Sequence, residues 1–396
     1  MAVAPDLGDP IDVLIVGGGN AGLSVAARLL RRGIRNVAVI EPLAVHTYRP
    51  LLSYVGGGQA SVSSAERTQA EVTPDGCTWL QDTVIAVHAD TRTVRCVSGR
   101  LYRYDDLVLA PGLVPDGEAL PGVDAALGTP SVTSNYVRHA EKTWQLVRGL
   151  QRGRAVFTVP RSPVSCTGTT LKPLFLAAAH WQRMERNADI DLVLLVDRPS
   201  LLGVPDIDDR LQGLLDELGV DVRYDTAVTA LHPDERRIST SGGDLEYDFL
   251  HLVPPFRGPP WVETCLLAAD ATHGLVDVDP KTLRHRTFPH IWALGDAANV
   301  ATDPSGGAIR KQSAVLVDNL LAARRGAKLT EYDGYTVAPV ATDAHRLVFG
   351  EFDREGRMQG SLPSFVDPLK PSRLAWAFDR YGLPRMYWNL ILKGRL

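Results

Sequence analysis

Ile11-Asp12-Val13-Leu14-Ile15-Val16-Gly17-Gly18-Gly19-Asn20-Ala21-Gly22 is the stretch whose reading decides the fold. Its first six residues form a compact, mostly apolar run that reads as a buried strand, and Leu23 to Arg32 beyond it reads as a helix. Between them the glycines suit a phosphate turn. Gly17 permits the tight turn, Gly19 lets backbone approach a pyrophosphate, and Gly22 allows close packing of helix on strand. Asn20 and Ala21 lie in the same turn, where the helix N-terminus offers oriented N–H donors. A second strand, Val37 to Ile40, ends at Glu41, about 20 residues on, where a carboxylate can hold ribose hydroxyls. Strand, glycines, helix, strand and terminal acid in that order predict a bound dinucleotide. The turn alone does not separate FAD from NAD.

A chain of 396 residues exceeds what one hydrophobic core usually supports, so two or three packed subdomains are expected. Apolar residues make up 45% and charged residues 22%, an ordinary globular balance. A net charge of −4 argues against nucleic acid as a partner, which calls for a basic face. Met1 to Pro10 carries Asp6 and Asp9 and no basic residue, unlike a secretory signal, and no run approaches the roughly 18 apolar residues of a spanning helix. The expected location is inside the cell. Cys77, Cys96, Cys166 and Cys265 show no CxxC and no metal-ligand spacing, so no metal is expected and any cysteine chemistry should be catalytic.

Two later segments bear on the cofactor. Tyr104-Asp105-Asp106-Leu107-Val108-Leu109-Ala110-Pro111-Gly112 resembles the strand and turn that lead out of the first FAD segment in flavoproteins with two dinucleotide domains. Ile291-Trp292-Ala293-Leu294-Gly295-Asp296-Ala297-Ala298 resembles their second FAD motif, whose Asp reaches the ribityl chain. Most such proteins carry a further GxGxxG for NAD(P)H. Here the strand Ala155 to Val159 runs instead into Pro160-Arg161-Ser162-Pro163-Val164-Ser165-Cys166-Thr167-Gly168, where prolines remove donors and stiffen the turn. Nicotinamide is therefore disfavoured, and something else must reduce the flavin. Cys166 precedes a helix predicted from about Leu171 to Met184. The positive field at a helix N-terminus, with Lys172 on its first turn, should lower the thiol pKa and favour thiolate.

The segment Phe157 to Lys172 is similar to the cysteine loop of the mitochondrial-type sulfide:quinone oxidoreductases. So are Glu41-Pro42, His46-Thr47-Tyr48-Arg49-Pro50, Tyr54-Val55-Gly56-Gly57-Gly58, the prolines 254–255 and 259–260, Tyr332-Asp333-Gly334-Tyr335 and Tyr387-Trp388-Asn389. The likeness runs nearly end to end. It implies an α/β fold of two Rossmann-like dinucleotide-binding domains of the disulfide-reductase type with a C-terminal helical membrane-associating region. The implied divisions are 1–112 and 251–325 for the FAD domain, 113–250 for the second domain with the Cys166 loop, and 326–396 for the quinone and membrane region. It also implies FAD contacts from Gly17, Gly19, Asn20, Ala21, Gly22, Glu41, Pro42, Tyr48, Pro50, Ala110, Pro111, Gly112, Gly295, Asp296, Gly307, Ala308 and Lys311, with Cys166 and Lys172 catalytic.

In that family two redox cysteines straddle the flavin, sulfur resides on them, and electrons pass through FAD to a quinone. Cys166 matches the first cysteine. The second should follow Tyr332-Asp333-Gly334-Tyr335, where this chain reads Thr336-Val337-Ala338-Pro339, so Ala338 stands in its place. Asp303-Pro304-Ser305 likewise replaces a Ser-Lys-Thr pattern ahead of Gly306-Gly307-Ala308. With one cysteine, turnover would need an external thiol, sulfite or persulfide to resolve the intermediate. Cys265 is a candidate substitute, while Cys77 and Cys96 read as core. Three other functions stay open: a flavoenzyme acting on another thiol, a type II NADH:quinone oxidoreductase, and a sulfur-binding flavoprotein without turnover.

From Lys370 to Leu396 six basic residues face one acid, Asp379, a net of +5 that leaves −9 for the rest. Trp376, Phe378, Tyr381, Met386, Tyr387, Trp388, Leu390, Ile391 and Leu392 share this tail, a mixture suited to an interfacial helix at the inner face of a membrane. His46 and His251 are candidate proton handlers for flavin or quinone. The expected partners are thus sulfide or a small thiol or persulfide, a quinone and a membrane surface, with a second copy of the chain left open.

Overall fold

The computed structural model describes residues 9–136, 139–360 and 367–396; most of the Met1–Pro10 stretch lies outside them. Val13 to Val16 are buried at the centre of a seven-stranded sheet. The first strand, Ile11–Val16, pairs in parallel with Val37–Ile40 on one side and Leu101–Leu109 on the other, in the register Val16↔Ile40 and Val16↔Leu109. Cys77–Leu80 extends the sheet beyond Val37–Ile40. Ile291–Ala293 returns from much later in the chain to pair with Leu107 to Leu109. Runs this apolar are what a sheet covered on both faces requires.

The glycine turn is where sterics fix the architecture. Gly17 has φ +100, and a Cβ there would meet the Ala110 carbonyl oxygen at 2.2 Å. A Cβ on Gly22 would lie 1.9 Å from the Gly17 oxygen. Only glycine lets the helix Asn20–Arg31 start directly above the strand.

A second parallel sheet runs in the order Val132–Thr133, Phe249–His251, Gly153–Val159, Ile190–Val196, Asp221–Arg223, with its own apolar core. The carboxyl ends of both sheets face a common crevice, the usual ligand position in open α/β sheets. The antiparallel pair Thr336–Ala341 and Leu347–Phe352 packs on the helix Thr167–Arg183, and a helical tail from Arg373 to Ile391 closes the crevice.

That tail differs from a free interfacial helix. It contains two π-helical turns, Phe378–Gly382 and Tyr387–Ile391. Tyr387 and Leu392 belong to the core of the first domain, with Trp376, Trp388 and Ile391 packed against it. Leu374, Phe378 and Tyr381 remain exposed, Leu374 at 84%. Much of the apolar face is thus used inside the protein. No helix among the described residues is long and apolar enough to cross a membrane.

Candidate active site

A cavity of about 1950 Å³ runs from the glycine turn past the Cys166 loop to the tail. An ordinary small-molecule pocket reaches about 1000 Å³, so this one has room for a dinucleotide and a further ligand. Gly17, Gly19, Asn20, Ala21, Glu41, Pro42, Tyr48, Pro50, Ala110, Pro111, Gly112, Asp296 and Gly307 all line it, as does Cys166. A Cβ on Gly19 would meet nothing within 4 Å, so the turn lies open to a phosphate. Glu41 accepts the Gly18 N–H at 2.8 Å and the Leu43 N–H at 2.9 Å, and its carboxylate keeps further lone pairs for hydroxyls. These residues fit an FAD.

Four expected contacts lie off the cavity wall. Gly22 is packed on the Gly17 oxygen. Gly295 donates its N–H to Gln312 Oε1 at 2.9 Å. Ala308 is buried, with its N–H on Ser305 Oγ at 3.0 Å. Lys311 turns away, its Nζ 2.7 Å from Asp333 Oδ2 and 4.1 Å above the Tyr335 ring.

Cys166 caps the helix Thr167–Arg183, which begins four residues earlier than the sequence indicates. It has φ +57, uncommon for a residue with a Cβ and a strain of about 1–3 kcal/mol that its surroundings must hold. Thr169 Oγ1 donates to Sγ at 3.1 Å, and the Tyr136 hydroxyl donates to the Cys166 carbonyl at 3.3 Å. Thr167, the next residue, gives its N–H to Asp303 Oδ2 at 3.1 Å and its hydroxyl to Asp303 Oδ1. Arg198 braces the loop from behind, donating to the Pro160 carbonyl at 3.1 Å and to Thr167 Oγ1 at 3.3 Å. The loop thus covers the carboxyl end of Gly153–Val159, where a nicotinamide nucleotide would need glycines.

The thiol is not acidified as expected. Burial, followed by the Asp303 carboxylate, pushes Cys166 up to about 11, outweighing the Thr169 hydrogen bond and Lys172. Asp303 is itself pushed up to about 6 by burial. Nor does Lys172 serve the thiol directly. It is fully buried on the second turn of the helix, its Nζ 3.0 Å from Asp379 Oδ2, and its charge is spent on that pair.

Ala338 is buried against the first turn of the cysteine helix: a Cβ on Gly168 would come within 2.9 Å of its methyl group. The neighbouring Val337 and Pro339 line the cavity. The Ala338 methyl, by contrast, belongs to the apolar core of the second domain, so the chain offers no sulfur at this position. Cys265 does not substitute; its Sγ accepts the Val87 N–H at 3.2 Å at the rim of the first sheet. Burial pushes Cys77 and Cys96 up to about 12.

The histidines separate. His251 is fully buried, accepts the Asn135 N–H on Nε2 at 3.0 Å and is pushed down to about 3 by burial, so it stays neutral near pH 7 with its one ring proton on Nδ1. His46 contacts the Gly18 carbonyl through Nδ1 at 3.1 Å and the Tyr387 hydroxyl through Nε2 at 2.6 Å. The carbonyl can only accept, which puts the ring proton on Nδ1 and makes the tyrosine the donor to Nε2. Asp303, Arg198, Tyr136, Tyr54 and Asp379 were not singled out as site residues by sequence. Asp303 left a signal as an acid where a lysine pattern was expected, Tyr54 stood in a family-like segment, and Asp379 was the one acid of the tail.

A glycine turn under one Rossmann-like domain and a cysteine loop at the ends of the other define a two-domain disulfide-reductase-type oxidoreductase. The family model described as pyridine nucleotide-disulphide oxidoreductase matches residues 11–315. Within that class the chain belongs to the sulfide:quinone oxidoreductase family. It is 31% identical over 393 residues to the mitochondrial sulfide:quinone oxidoreductase of Mus musculus, covering 97% of this chain and 86% of the relative. With that of Dictyostelium discoideum it shares 32% over 392 residues, covering 97% and 86%. The X-ray structure of the sulfide:quinone oxidoreductase from Aquifex aeolicus superposes with a TM-score of 0.80 over 97% of this chain and 92% of that one, at 17% identity.

Proposed function

We propose that this protein oxidises sulfide, or a closely related persulfide or thiol, at Cys166 and delivers the electrons to a quinone. The observation that carries the reading is Cys166 on the wall of the same cavity as the glycine turn, in a loop that occupies the nicotinamide position. FAD, held by Gly17 to Ala21, Glu41, Ala110 to Gly112, Asp296 and Gly307, would supply a two-electron carrier between sulfur and acceptor.

Cys166 takes up the sulfur. Its thiol and a hydrogen sulfide molecule join as a persulfide, with loss of two electrons and two protons. An external thiol then takes the outer sulfur and leaves Cys166 as a thiol. The electrons reduce the quinone to quinol, so that sulfide, thiol and quinone become persulfide and quinol. An external thiol is needed because Ala338, packed on Gly168 of the cysteine helix, has no sulfur with which to form a disulfide. A persulfide loses its proton more readily than a thiol, so the raised Cys166 still permits an anionic sulfur once sulfide has been captured. Thr169 Oγ1 is placed to hydrogen-bond it.

The tail would bind the inner face of a membrane through Leu374, Phe378 and Tyr381 with Lys370 and Arg373 beside them, a partly exposed patch adjoining the cavity wall. Quinone-dependent consumption of sulfide, measured with and without added thiol, tests the function. Rapid turnover only with thiol, with one persulfide formed per quinol, is the expected result; NADH-driven quinone reduction without sulfide would contradict it.

A further inference from the structure

Among the described residues, the Lys172–Asp379 pair is the only ion pair with both side chains buried, at 0% and 3% exposure. Two donors converge on one oxygen: Lys172 Nζ reaches Asp379 Oδ2 at 3.0 Å, and the Tyr54 hydroxyl reaches the same atom at 2.6 Å. Lys172 also stands 5.3 Å above the Tyr54 ring. The three come from separate elements: the cysteine helix, the short helix Leu51–Gly56, and the first π turn of the tail.

Lys172 is carried by the same helix that Cys166 caps, yet it points to the tail. Burying two charges costs about as much as their attraction returns, so such a pair adds little stability. What it provides is register. A tail shifted by one residue would leave a lysine and an aspartate unpaired in the interior, a large penalty. The π turn is the backbone device that aims Asp379 inward while its neighbour Phe378 stays partly exposed. Tyr387 in the second π turn, bonded to His46, pins the tail to the glycine turn as well. Between the two pins Leu383 and Met386 line the cavity, joined by Leu374 and Phe378 just before them.

We propose that Lys172 and Asp379 are positioning residues for the electron acceptor, setting the register of the tail and with it the apolar wall against which the acceptor ring binds. This rests on the reading of the acceptor as a quinone. The sulfur half of the reaction does not use Asp379.

K172M, D379N and the double variant K172M/D379L, each as holoenzyme, test this. Flavin reduced with dithionite, which bypasses all sulfur chemistry, is mixed with a short-chain quinone, and the half-saturating quinone concentration for reoxidation is read. Flavin bleaching by sulfide is recorded separately. Each single variant should raise the half-saturating concentration about tenfold or more; D379N should leave sulfide bleaching within about twofold, while K172M, which also removes a charge that lowers the Cys166 thiol, is judged on quinone saturation. The double variant leaves no unpaired charge, so it should recover the wild-type melting temperature yet keep the weakened quinone saturation. Slowed sulfide bleaching with unchanged quinone saturation, no change in either, or a double variant that recovers quinone saturation overturns the proposal. A dithionite-reduced wild type that quinone fails to reoxidise overturns the quinone reading, and the proposal with it.

Discussion

Replacing Asp303 with asparagine should speed the reaction of Cys166 with electrophiles. The Asp303 carboxylate holds Thr167 through two hydrogen bonds and acts on the adjacent thiol, second only to burial in raising it. A rise from the ordinary 9.0 to about 11 lowers the thiolate present at neutral pH about a hundredfold. Burial survives the substitution, so only the charge contribution returns, roughly tenfold in thiolate. The asparagine carbonyl can still accept the Thr167 N–H, which keeps the loop in place. Asp303 is pushed up to about 6, so its negative charge is present above that pH and lost below it. The ratio of rates, variant over wild type, should therefore be about ten near pH 8 and approach one near pH 5. Alkylation of Cys166 by iodoacetamide, followed by mass spectrometry of its peptide, gives that ratio. Cys77 and Cys96, both pushed up to about 12, serve as slow internal references. Equal rates near pH 8, or a ratio that does not fall with pH, would refute the reasoning.

Other perturbations follow from the same geometry. Gly22→Ala places a Cβ 1.9 Å from the Gly17 oxygen, and should cost about 3 kcal/mol or more and release the flavin, read by thermal melting and absorbance. Ala338→Cys puts sulfur beside the first turn of the cysteine helix and should permit repeated turnover on sulfide without added thiol; a continued requirement for thiol would count against the missing-partner explanation. His251 is depressed to about 3 when folded, so the unfolded state binds its proton first and stability falls as pH drops from about 6.5 toward 3. This linkage amounts to about 5 kcal/mol at most, and His251→Gln should flatten the acid limb of the melting curve over that range. Leu374→Glu with Phe378→Glu should abolish binding to anionic vesicles while leaving the melting temperature within about 2 °C, since both side chains are substantially exposed.

Much of the first domain was legible because its constraints lie in consecutive residues. Gly22 is demanded by contacts within the turn, the positive φ of Gly17 suits the same turn, and Ile11 to Val16 declare their burial by composition alone. Cys166 could be found because the loop around it lacks glycines that a nucleotide would need. Its acidity could not be read, since the helix field is local while the opposing carboxylate, Asp303, arrives from 137 positions later. Lys172 was misjudged for the same reason. Its partner lies 207 residues away, and nothing in the spacing of the tail announces the π turn that brings Asp379 inside. The tail itself reads as amphipathic from its composition, but which apolar residues pack on the first domain and which face outward depends on that turn.

The most direct measurement is anaerobic stopped-flow absorbance of the purified yellow protein mixed with sulfide. Wild type should lose its flavin absorbance rapidly and regain it on addition of quinone, while Cys166→Ser should retain its colour. Bleaching of the serine variant at the wild-type rate would show that the electrons do not enter through Cys166.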